Sequence, residues 1–98
     1  MILKVWKGEL KPDADKAAIA SSGERAAPLF LKAKGFKKAF TAVDPATNKQ
    51  VFIEIWESEA NSHALGNTPE IQKEIANINQ FYTTPLTLEG VNEVNLEM

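Results

Sequence analysis

The sequence contains no cysteine and a single histidine, His63. Without thiols there is no disulfide, no thiolate metal site and no cysteine nucleophile, and nothing asks for an oxidising compartment. One imidazole also excludes a multi-histidine zinc site within one chain. Arginine is nearly missing too: of eleven cations all but Arg25 are lysine, set against thirteen Asp and Glu for a net charge of -2. That is not the balance of a nucleic-acid binder. No apolar run approaches the roughly 20 residues of a membrane span, and Met1 to Leu10 is too charged for a signal-peptide core. A soluble cytoplasmic protein is the expectation. A Gly-rich phosphate loop, a dinucleotide fingerprint and metal-ligand spacing are all missing, so no metal, flavin, nicotinamide or haem is expected.

What remains is 98 residues, 44% hydrophobic, with five Gly and five Pro, enough for one small domain with little apolar area to spare. Ile2 to Leu10 alternates imperfectly and carries β-branched and aromatic residues, which predicts a strand. Asp13 or Asp15 offers an N-cap to a helix through Lys16 to Ile19. The run Ser21-Ser22-Gly23-Glu24, with Pro28 unable to donate to Glu24, predicts a kink or restart. Ala26, Leu29, Phe30 and Ala33 then form one apolar face, closed by Gly35.

Phe36 to Val43 and Gln50 to Trp56 read as a hairpin, turned by Asp44, Pro45 and Asn48. With Val43 opposite Gln50, Phe40, Ala42, Val51, Ile53 and Ile55 share one face. Lys37, Ala39, Thr41, Phe52, Glu54 and Trp56 share the other. The first is expected to pack on helices and the second, which is mixed, to need another cover. Ser58 caps a short helix ending at Gly66. Thr68 and Pro69 open a longer one with a stripe of Ile71, Ile75, Ile78 and Tyr82. The last strand is expected from Leu86 toward Leu96, with a bulge at Gly90.

Strand, helix, strand, strand, short helix, helix, strand is the βαββααβ order of a ferredoxin-like α+β fold with an antiparallel sheet. Helices cover one face of such a sheet. The apolar residues of the other face call for a second copy, so a symmetric homodimer is expected.

At Gly35-Phe36, at Asp44-Pro45-Ala46-Thr47 and at Ile55-Trp56-Glu57-Ser58-Glu59 the chain resembles the antibiotic biosynthesis monooxygenase family of dimeric α/β-barrel proteins. The resemblance runs from about Ile2 to Val94 and rests on backbone marks, which speak to fold more than to reaction. It implies two ferredoxin-like subunits packed sheet to sheet, with a pocket between the sheet and helices of each. Cofactor-independent quinone-forming monooxygenases, quinol-oxidising proteins and haem degraders share that family. The haem degraders place an Asn on the first strand, a Trp near the position of Ala64 and a His near Glu74 or Ile75. None of these is present, which disfavours haem degradation.

The candidate catalytic groups are His63 and Glu54. His63 suits a general base because imidazole is the side-chain type that ordinarily changes charge near neutral pH, although a place on the exposed side of a short helix is the more ordinary explanation. Glu54 stands between Phe52 and Trp56, where burial would make it a usable base, or Lys37 could pair with it as a diagonal neighbour. Trp56, Tyr82, Phe30, Phe40 and Ile75 are candidate substrate-binding residues, as a wall of aromatics and isoleucines suits a flat apolar ligand. Core or interface packing is the commoner reason for a Trp at the end of a central strand, and Trp56 fits it. The resulting expectation is a cofactor-independent monooxygenase for a small phenolic, quinol or polyketide-like aromatic. A non-catalytic homodimer that binds a small hydrophobic ligand is the alternative.

Overall fold

The computed structural model describes all 98 residues. Seven elements follow one another: β1 (Ile2–Leu10), α1 (Lys16–Lys32), β2 (Phe36–Val43), β3 (Lys49–Trp56), α2 (Glu59–Gly66), α3 (Pro69–Asn79) and β4 (Tyr82–Glu93). The strands form one antiparallel sheet in the order β2-β3-β1-β4, with the helices on one face. This is the expected ferredoxin-like α+β fold. Within the chain the sheet stays open and is not closed into a barrel. No helix is long and apolar enough to cross a membrane.

The helix starts follow from side-chain caps. Asp15 accepts from the backbone N–H groups of Ala17 and Ala18, Ser58 from that of Asn61, and Thr68 from that of Ile71. Helix α1 runs unbroken through Ser21-Ser22-Gly23 and past Pro28, against the expected restart. Proline removes only the hydrogen bond to Glu24, while Ser22 is buried and ties α1 to α3 by donating to Glu74 Oε2 at 3.2 Å. Arg25 donates to the same carboxylate at 3.0 Å and holds its carboxyl below the usual range. Helix α1 ends at an Ala33 cap, and Gly35, at φ 80°, makes the left-handed step into β2.

Strand β4 starts at Tyr82 and ends at Glu93, earlier at both ends than Leu86 to Leu96. Tyr82 is therefore no part of the α3 stripe: it opens β4 opposite Leu10. Pro85 is tolerated because β4 is an edge strand paired only with β1. The expected bulge is present, with Val5 opposite Gly90 and Trp6 opposite Leu88.

The hairpin register is as expected, Val43 opposite Gln50. The faces are reversed. Phe52, Glu54 and Trp56 face the helices, where Trp56 is wholly buried against Leu65 and Ile71. Phe40, Val51, Ile53 and Ile55 turn the other way, toward the face without helices. The reason is side-chain volume: a tryptophan and two phenylalanines fill the wedge between sheet and helices that β-branched residues would leave partly empty. Phe30 of α1 touches Phe36, Phe52 and Trp56 with ring centroids 5.5, 5.9 and 6.2 Å away.

Candidate active site

Strands β1 and β3 are the two central strands, and their register puts Ile2, Lys4 and Trp6 opposite Trp56, Glu54 and Phe52. All six side chains share the helix-facing surface because residues two apart on a strand point the same way. Four of them are polar or carry a polar tip, so burial obliges them to find partners.

Glu54 finds two. Trp6 Nε1–H donates to Glu54 Oε2 at 2.6 Å, and Trp56 Nε1–H donates to Oε1 at 2.9 Å. Each carboxylate oxygen thus holds one indole, one anchored in the core and the other half-buried. Lys4, also buried, donates from Nζ to Ser62 Oγ at 3.2 Å, and Nζ lies 5.4 Å from the centre of the Trp6 ring. The Ser62 hydroxyl in turn donates a hydrogen bond to the backbone carbonyl of Glu59 at 2.9 Å. Lys4 and Glu54 are direct cross-strand neighbours yet form no ion pair, the two ion pairs of the chain being Arg25–Glu74 and His63–Glu59. A buried cation and a buried carboxylate therefore stand side by side, bridged by one indole.

The other candidates lie elsewhere. His63 projects from the outer side of α2, its side chain 61% exposed and 3.5 Å from Glu59 one turn earlier; its neighbour Ser62 is the residue that points inward. Phe40 is 52% exposed on the opposite face of the sheet from Phe30, and Ile75 is 47% exposed. Phe30, Phe40 and Ile75 therefore do not converge on one cavity. Tyr82 is buried on the helix-facing side at the far end of the sheet, and burial pushes its phenol above the ordinary value. Lys37 is not the partner of Glu54: a register shift between Phe36 and Lys38 removes it from the ladder. Structure thus brings together Glu54, Trp56 and Phe30, and adds Lys4, Trp6 and Ser62. The signal for Lys4 was its parity, a lysine between Ile2 and Trp6 on the inward face of a central strand.

Trp56, Leu65 and Ile71 form the core at one end of the layer between sheet and helices, and the layer opens toward the hairpin. There, a cleft of about 260 Å³ lies between the start of α1 and the β2–β3 turn, with Leu10, Thr41 and Gln50 among its walls. No group of three or more His, Asp or Glu side chains is placed to hold a metal ion.

No protein-family model matches the sequence, and no curated protein matches it. Solved structures do match. SnoaB, a cofactor-independent oxygenase from Streptomyces nogalater, is 15% identical with a TM-score of 0.78, covering 99% of this chain and 95% of that one. A Bordetella bronchiseptica protein named for antibiotic biosynthesis monooxygenase is 16% identical, also at 0.78, covering 97% of each chain. NE2512, a Nitrosomonas europaea protein of unknown function, is 21% identical at 0.77, covering 99% of this chain and 91% of that one. Over nearly its whole length, the chain has the fold of the antibiotic biosynthesis monooxygenase structures.

Proposed function

We propose that the protein is a cofactor-independent monooxygenase for a small phenolic or quinol compound, working as a sheet-to-sheet homodimer, with Glu54 as its base. The observation that carries this reading is the buried Glu54 carboxylate held between two indoles beside the buried Lys4. The likeness in fold to a cofactor-independent oxygenase supports it. A phenol hydroxyl reaches Glu54 by replacing the N–H of Trp6, since Trp56 is locked in the core and Trp6 is not.

The chemistry asks little more. Ionising a phenol of pKa about 10 at neutral pH is uphill by about 4 kcal/mol, within reach of a positioned base and a nearby cation. Glu54 takes the proton, and the Lys4 ammonium offsets the charge of the phenolate. The phenolate passes one electron to dioxygen, giving an aryloxyl radical and superoxide. These combine to form a carbon–oxygen bond, and the protonated hydroperoxide loses water to leave a quinone. Phenol and dioxygen become quinone and water, with no external reductant.

One feature favours the non-catalytic alternative: both Glu54 oxygens are already hydrogen-bonded. Oxygen uptake with a panel of dihydroxyaromatics and quinols, with no metal or flavin added, separates the two. Turnover to a quinone that has gained one oxygen atom from dioxygen, with water and not hydrogen peroxide as the other product, supports the monooxygenase. Saturable binding of the same compounds without oxygen uptake makes the protein a binding dimer.

A further inference from the structure

Gln50 is 9% exposed, and its side-chain amide makes no hydrogen bond within the chain. Its strand neighbours, Val43 and Gly8, offer no polar side chain. Yet no fully buried side-chain nitrogen or oxygen in the molecule lacks a partner. The unpaired amide therefore keeps its small exposure; Gln50 lines two clefts, and its side chain, on the helix-facing side of β3 with Phe52 and Glu54, belongs to the one of about 260 Å³ at the hairpin end. An amide so enclosed has lost most of its water and gained nothing in exchange, a deficit a ligand can repair.

The rest of the cleft is of one kind. Leu10, Ile19, Val43 and Pro45 supply apolar walls. Lys16, Thr41 and Asn48 join Gln50 as the polar lining, and none of their side chains hydrogen-bonds or pairs with another residue. No carboxylate lines the cleft, so Lys16 is its single charge. The volume falls just below the roughly 300 Å³ at which drug-sized pockets begin, which suits one ring rather than a fused system.

We propose that this cleft is a binding site for a small aromatic monocarboxylate. The ring lies among Leu10, Ile19 and Val43, and the carboxylate accepts from the Gln50 amide and the Lys16 ammonium. The site stands apart from the Glu54 cluster: four residues along β3 is about 13 Å, with Phe52 between. It does not depend on any reaction at Glu54.

Titration of the isotope-labelled full chain with benzoate, followed by NMR, tests it. The side-chain amide resonances of Gln50 and Asn48 are expected to move saturably. Benzamide, the neutral isostere, and Lys16→Gln are each expected to weaken binding by about fivefold or more, and Gln50→Leu to remove it. Lys16 is at the surface, so Lys16→Gln folds and decides the matter even where Gln50→Leu does not. The proposal is overturned if these amides fail to respond at millimolar benzoate, if the responding residues lie elsewhere, or if benzamide binds as well as benzoate.

Discussion

Glu54 serves two donors at once, so its removal does more than delete a charge. In Glu54→Leu the indole of the fully buried Trp56 loses its acceptor with no water to replace it, and Trp6 loses a partner as well. The expected cost is about 1–3 kcal/mol, read from urea denaturation, with Glu54→Gln nearer the lower end because one amide oxygen still accepts. Tyr82 carries a pH prediction. Burial raises the phenol pKa in the folded protein above its unfolded value of about 10, so the folded state holds the proton longer. Its contribution is complete below about pH 10 and is lost as pH rises through the folded value. Urea midpoints at about pH 9 and about pH 11 should fall further for the parent than for Tyr82→Phe.

Two glycines in and after α1 behave oppositely. A Cβ on Gly23 meets nothing within 4 Å, so Gly23→Ala should stabilise the helix by about 0.5–1 kcal/mol. Gly35 has φ 80° and its Cβ would run into the Asn61 side chain, so Gly35→Ala should cost about 1–3 kcal/mol; paired thermal melts check both. Elements were legible where a local side chain announces them, as with Ser58, Thr68-Pro69 and the Asp44 turn. The start of β4 was hidden because Thr83, Thr84 and Pro85 read as a break, whereas an edge strand accepts them. The choice of sheet face could not be read locally at all. Both hairpin faces carry large apolar side chains, and what decides between them lies far along the chain: the wedge under the helices that Phe52 and Trp56 fill, and Trp6, 48 residues away, as a partner for Glu54.

The whole chain exposes 6558 Å², against about 5,500 Å² for a compact monomer of 10.8 kDa. The excess of about 1,000 Å² is comparable to what one partner buries in an ordinary dimer, about 800 Å². The helix-free face carries Leu3, Val5, Phe40, Val51, Ile53 and Ile55, an apolar field flanked by Lys7 opposite Val51 and Lys38 opposite Ile55. A second copy is the cover proposed for it. Sedimentation at micromolar concentration should report a dimer, and Ile53→Asp should weaken it by about 30-fold or more, as expected of a central interface residue. A monomeric parent would leave that face without its cover.

In the proposed reaction Glu54, and not His63, takes the phenol proton. Oxygen uptake with a quinol that the parent turns over, compared in Glu54→Gln and His63→Ala, is the most direct measurement. Loss of a base at Glu54 should slow uptake by about 100-fold or more. His63→Ala, altering only an exposed pair with Glu59, should stay within about twofold of the parent. A Glu54→Gln protein as fast as the parent, with His63→Ala inactive, would contradict it.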